Sequence, residues 1–207
     1  MADMWTTVAA ERGALADDLA DLSQNEWNAR SLCDGWSVED VLAHMTSDAS
    51  LTPPAFLLDF ASTGFNFTKF ADKGIARQRG ATPSETLSKF RAKQDSKKSP
   101  PGPKLTWLGE VIVHSEDIRR PLGIQHTYPT EALTSVLDFY KNSNTLIGAK
   151  NRIAGVTLKA TDADWTHGSG PLVEGRLVDL LVAATGRKAA LDHLSGDGVP
   201  TLASKWG

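Results

Sequence analysis

The sequence predicts a mainly α protein, with a helical part over residues 1–149 and a small C-terminal α+β lobe over 150–207. Three observations lead there. Apolar residues recur at helical spacing through the first two thirds. After about residue 150 the pattern changes to apolar–polar alternation between glycine-rich turns, as in strands. With 41% hydrophobic and 23% charged residues, the composition is that of a globular chain, neither disordered nor membrane-like.

Residues 4–22 place Trp5, Val8, Leu15, Leu19 and Leu22 at helical spacing, with acids opposite. After a break over 31–35, Ser37 opens a second helix, and Asp40 three residues on completes a capping-box pattern. Val38, Val41, Leu42 and Met45 form its apolar stripe. Pro53 and Pro54 interrupt the chain, and 55–78 reads as helix split near Gly64. Thr82, Pro83 and Glu85 mark the next helical start, which fades into Ser99-Pro100-Pro101-Gly102-Pro103. Helices follow over about 104–120 and 129–148. The lobe then reads as strands within 155–175, a helix over about 175–185 and a short one over about 187–195.

Charge is unevenly spread. Residues 1–40 carry nine acids against Arg12 and Arg30, whereas 69–104 carry ten bases against three acids. Lys93, Lys97 and Lys98 read as the solvated face of a helix, so the basic stretch does not imply nucleic-acid binding. Cys33 is the single cysteine, which excludes an intrachain disulfide. The acidic, amphipathic start lacks a signal-peptide pattern, and no apolar run reaches the roughly 20 residues needed to span a bilayer. The expected setting is cytoplasmic, with no membrane partner.

The chemistry concentrates in KLTWLGEVIVHSEDIRR. At about 100° per residue, Trp107, Val111 and Ile118 define an apolar face shared by Glu110 and His114. These two are one turn apart, so their side chains stack on one side. A carboxylate facing a core is costly unless paired or bound to a metal. His44 flanks the Val41–Met45 stripe. If the two helices face each other, two imidazoles and a carboxylate converge, as in metal sites built inside bundles. Such a set with an open position suits zinc or ferrous iron. The same residues also fit a surface i,i+4 pair and a hydrogen-bonded core histidine.

Asp117 can orient an imidazole or pair with Arg119 or Arg120. Arg119 and Arg120 can recognise a substrate carboxylate or favour the negative helix end. Trp36 reads as an anchor at the helix entry; Cys33 is a candidate redox thiol or ligand, but its place before the His44 helix favours packing. His126, His167 and His193 have no partner at ligand spacing.

WSVEDVLAHM followed by EVIVHSEDIRRPLG resembles the DinB/YfiT-like metalloenzyme superfamily, and within it the mycothiol-dependent maleylpyruvate isomerase-like family. SLCDGWSVEDVLAHM resembles that family's Cys-x-Gly-Trp entry, and TDADWTHGSGPLVEGRLVDLLVAATGRKAALDHLSGDG its C-terminal domain. In the latter, Asp162, Trp165, Gly168, Gly170, Gly175 and Arg187 carry the likeness.

The resemblance implies a DinB-like four-helix bundle holding a divalent metal on positions that match His44, Glu110 and His114. Zinc is the expected ion, with nickel or iron as alternatives. It implies mycothiol as cosubstrate and a small electrophilic substrate, in an isomerase or a thiol S-transferase. A dianionic substrate would want arginines, for which Arg119, Arg120 and Arg187 are the candidates. No general acid or base is assigned. Two other functions use the same fold: a hydrolase with metal-bound water, and a non-catalytic binding bundle, for which a homodimer is one form.

Overall fold

The computed structural model describes residues 3–144 and 149–205. The chain divides into two compact units, Met1–His126 and Thr127–Gly207.

In the first unit the helices are α1 (Met4–Asp18), α2 (Gln24–Trp27), α3 (Val38–Asp48), α4 (Pro53–Ser62), α5 (Phe67–Gln78), α6 (Pro83–Arg91) and α7 (Lys104–Arg119). α1 packs on α6 and α7, and α3 packs on the same two, so α1, α7, α3 and α6 close a four-helix bundle. α5 lies against α3. Val8, Leu15, Leu42, Phe90, Ile112 and Ile118 fill the core and are essentially inaccessible.

Local signals set these elements. Ser37 Oγ accepts from the Asp40 amide at 3.2 Å while Asp40 Oδ2 accepts from the Ser37 amide at 3.0 Å, the reciprocal cap expected for α3. Thr82 caps α6, with Pro83 at its first position. A second capping box, Ser23 with Glu26, starts α2, a helix too short to register as periodicity. Glu39 of α3 is buried between two donors. Its Oε1 accepts from Thr86 Oγ1 at 2.8 Å and its Oε2 from Arg79 Nη2 at 2.7 Å, which ties α3 to α6.

Three expectations change. The first helix ends at Asp18, short of residue 22. Lys93, Lys97 and Lys98 are not on a helix. α6 stops at Arg91, and Arg12 of α1 takes the carbonyls of Lys93, Gln94 and Ser96 as acceptors, drawing that segment off a helical path. α7 is buried on all sides rather than along one stripe: from Thr106 to Arg119 every residue is buried except Glu110.

α4 buries none of its residues. Its Phe56 and Phe60 meet Phe70 of α5 edge-on, while Leu57, Leu58, Phe65 and Phe67 stay exposed. No helix among the described residues is long and apolar enough to cross a membrane.

The second unit contains α8 (Thr130–Tyr140), α9 (Ala149–Arg152), β1 (Thr157–Ala160), β2 (Thr166–Gly168), β3 (Leu172–Gly175), α10 (Leu177–Ala184), a 3₁₀ turn over Lys188–His193 and α11 (Val199–Ala203). The sheet order is β2-β1-β3, with β1 antiparallel to β2 and parallel to β3. α10, buried along its whole length, packs on α8, β1 and β3. That packing draws α8 into this unit, so the division falls after His126 instead of near residue 150. The helix expected over 129–148 ends at Tyr140, and 145–148 lie outside the described residues.

The residues that carry the family likeness here have structural duties. Asp162 Oδ1 accepts from the Leu177 amide at 2.9 Å, at the start of α10, and Trp165 Nε1 donates to Asp138 at 3.1 Å. Gly170 has φ 128°, and a Cβ there would stand 2.3 Å from the Gly155 carbonyl oxygen. Only glycine fits that turn.

Removing the α3 cap tests the local account. Ser37→Ala should cost about 1 kcal/mol and lower the melting temperature by about 2–4 °C in a thermal scan. An unchanged melting temperature would show that the cap contributes nothing.

Candidate metal centre

The centre lies where α3 faces α7. His114 Nε2 is 2.9 Å from Glu110 Oε2, one turn back on α7. From α3, the His44 ring meets the His114 ring edge-on at 5.1 Å between centroids. One donor atom from each of His44, Glu110 and His114 lies within 4.8 Å of the other two. The three residues singled out in the sequence are thus brought together.

Beyond them, His114 Nδ1 is 2.9 Å from Asp117 Oδ2. This is the orienting arrangement, in which a carboxylate on one imidazole nitrogen turns the other toward the ligand set. Arg119, fully buried, is paired with Asp18 of α1 at 2.7 Å, and Arg120 with Glu116 at 2.7 Å. Both arginines thus have carboxylate partners outside the His44–Glu110–His114 set. Arg187 belongs to the second unit, where its Nη1 donates to the Thr185 carbonyl at 3.3 Å.

Two further neighbours stand outside the ligand set that the sequence singles out. Cys33, for which the sequence favours packing over a thiol or ligand role, donates its thiol to Asp117 Oδ2 at 3.1 Å, and its Sγ is 3.7 Å from His114 Nδ1. Cys33, His114 and Asp117 form a second group with metal-binding geometry. The segment over 30–37 is held to α7 by the Leu32 amide, which donates to the Asp117 carbonyl at 3.0 Å. Within it, the Trp36 amide donates to the Cys33 carbonyl across a turn in which Gly35 has φ 81°, the left-handed position that favours glycine. The same turn sets the Trp36 ring 4.9 Å from that of His44.

Asp48 is the other. It follows His44 by four, as His114 follows Glu110, and its Oδ2 is 3.6 Å from His44 Nε2. That spacing was the available signal.

The electrostatics follow from burial and these contacts. Burial, and then the charge of His114, pull His44 down to about 4, so its imidazole is neutral at neutral pH and offers a lone pair. Burial resists charge on His114, but the Glu110 charge and the hydrogen bonds that the imidazole donates, to Asp117 first, outweigh it and raise the pKa well above the imidazole value. The proton on Nε2, between His114 and Glu110, stands where a cation would be welcomed. Burial, then Glu110, push Asp48 up to about 7. Two imidazoles, one already oriented by a carboxylate, and a half-buried Glu are a fitting donor set for a divalent ion.

Glu110 and His114 also line a small cleft, partly open to solvent, with Arg12, Met45, Asp48, Lys98, Ser99, Trp107 and Val111. His126 pairs with Glu11 at 2.8 Å. Neither it, His167 nor His193 joins a metal-binding group among the described residues.

Fold and site together define a helical bundle with a candidate metal centre between two of its helices. The sequence profile of the mycothiol maleylpyruvate isomerase N-terminal domain matches residues 8–119, just over half of the chain, and the protein belongs to that family. Two solved structures share the fold over both units: the mycothiol-dependent maleylpyruvate isomerase and a histidine-to-alanine mutant of it. They are 17% and 16% identical, each at a TM-score of 0.65 over 94% of this chain and 91% of theirs. No curated protein sequence matches the chain.

The hydrogen bond behind His114 gives a direct test. Asp117→Asn should weaken zinc binding by about 10- to 100-fold in a competitive chelator titration, with little change in melting temperature. Unaltered affinity would remove Asp117 from the centre.

Proposed function

We propose that the protein is an enzyme that holds one divalent ion, zinc by expectation, on His44, Glu110 and His114. It would use mycothiol on a small electrophilic substrate. The observation that carries this reading is the convergence of three donors from two helices at the wall of a cleft. Family membership supports the thiol and the isomerase-type reaction.

A divalent ion held there would supply a Lewis-acid site that lowers a thiol's pKa and fixes its sulfur. The chain's own residues do the rest. His44, kept neutral by burial, leaves a nitrogen free to bind. Asp117 accepts a hydrogen bond from Nδ1–H of His114 and so presents Nε2 to the ion. Cys33 shares that acceptor and steadies it. Met45, Trp107 and Val111 give the cleft apolar walls that keep water from the reacting atoms.

In an isomerase, the thiol sulfur adds to a conjugated double bond and the displaced electron pair moves onto the activating carbonyl. Rotation about the resulting single bond follows, and expulsion of the thiolate restores the alkene. In a thiol S-transferase the sulfur stays attached. The proposed setting is the cytoplasm.

Metal content and thiol dependence test the proposal. Purified protein should carry about one zinc per chain, as three-ligand sites do, and His44→Ala, Glu110→Ala and His114→Ala should each lose most of it by elemental analysis. Full retention in all three variants would overturn the ligand assignment. Turnover of an activated alkene should require added mycothiol; equal turnover without it would point to hydrolysis by metal-bound water.

A further inference from the structure

The hairpin of α4 and α5 has the composition of a core and the position of a surface. Of the chain's 7 phenylalanines, Phe56, Phe60, Phe65, Phe67 and Phe70 fall on it. Phe60 is their hub, with ring centroids of Phe67, Phe56 and Phe65 at 4.4, 5.4 and 5.5 Å. Yet Leu57, Leu58, Phe65 and Phe67 are 60%, 74%, 69% and 58% exposed. A helix of 10 residues has little stability in water unless it buries a face, and α4 buries none of its residues.

The hairpin is nevertheless firmly built. Asp59 of α4 accepts from Arg77 Nη1 and Nη2 at 2.7 and 3.1 Å and from Lys73 Nζ at 2.9 Å. Asn66 Oδ1 accepts from the Lys69 amide at 2.9 Å and so caps α5. Between these clamps, Gly64 and Phe65 both take left-handed backbone, with φ 67° and 58°. Among the described residues Phe65 is the only one other than glycine to do so. That conformation disfavours an aromatic side chain. Here it is kept for a ring that lies mostly in water, so the strain is offset by little burial within one chain.

Size and charge identify what covers this face. At about 200 Å² per side chain, the four exposed residues present about 500 Å² of apolar surface. Monomers leave patches of about 300–600 Å² at most, and the large ones are commonly functional. A standard interface takes about 800 Å² from each partner, and in homodimers about 65% of it is apolar, again about 500 Å². The patch therefore equals one partner's apolar share. Lys73 and Arg77 are closed on Asp59, which leaves Lys69 and Asp72 exposed and without an ion pair among the described residues. One charge of each sign is self-complementary across a two-fold axis. An anionic membrane would instead select a surplus of cations.

We infer that a second copy of this chain covers the α4–α5 hairpin in a two-fold pair, with Leu57, Leu58, Phe65 and Phe67 at its centre. The pairing stands apart from the proposed metal chemistry, since none of these four residues lines the cleft or belongs to the donor set.

Sedimentation velocity of the full chain over about 1–100 µM, the weak end for an interface of this size, tests it. The native protein should sediment as a dimer, at twice the chain mass of 22.3 kDa. Leu58→Glu should weaken the dimer by about tenfold or more. Phe65→Gly should weaken it similarly, yet at the dilute end its melting temperature should hold or rise, because glycine relaxes the left-handed position. Ser88→Glu, on the exposed side of α6, should leave the dimer intact. A native protein that stays monomeric, or a dimer that keeps its affinity in both hairpin variants, would overturn the inference. So would equal weakening by Ser88→Glu. Monomeric native protein that floats with phosphatidylglycerol vesicles, and ceases to in Leu58→Glu, would assign the face to lipid and overturn the pairing.

Discussion

Glu110 and His114 lie one turn apart inside a helical bundle, and burial penalises any charge they carry alone. Everything at this centre compensates that penalty. Glu110 is the one residue between Thr106 and Arg119 that is half-buried rather than buried. His114 has a carboxylate on each nitrogen. His44 avoids the cost by remaining neutral. A cation shared among the three is the arrangement that satisfies all of them at once.

The same constraint explains why the surrounding chain is built as it is. α3 must enter at a fixed register for His44 to meet His114, and the Ser37–Asp40 cap sets that register. The loop before it cannot wander, because the Leu32 amide is bonded to the end of α7. That bond carries Cys33 to Asp117 and, through the turn at Gly35, Trp36 to His44. One short segment therefore supports the centre from two directions. At the far side, Arg119 with Asp18 holds α1 to α7, and the buried Glu39 holds α3 to Thr86 of α6 and to Arg79 at the end of α5.

Much of this was legible in the sequence, for identifiable reasons. Helix starts carry chemical marks, and Ser37, Thr82 with Pro83, and Gly64 each punctuated the chain where expected. The His44–Glu110–His114 set was legible because i,i+4 spacing and an apolar stripe are periodic features. What stayed hidden is what periodicity does not encode. α7 reads as amphipathic but is buried all round, since Asp117 and Arg119 are neutralised by partners distant in the chain. Arg12 looks like a surface base in an acidic helix, and its acceptors lie more than eighty residues away. Cys33 joins the centre through one backbone bond. The second unit's start was placed late because α8 has a helical pattern like those before it, and only its packing on α10 assigns it.

The order of the bundle along the chain has its own consequence. α1 is the first helix made and α7 the last of the four, yet they are neighbours in the ring, joined by Asp18 and Arg119 101 positions apart. At typical ribosomal speeds α1 waits about 5–20 s for its neighbour. During that interval Val8, Leu15 and Leu19 lack the wall that α7 provides, and the chain holds His44 without either of the other donors. Because Glu110 and His114 both lie on α7, the proposed three-ligand set is complete only once that last helix has joined the ring.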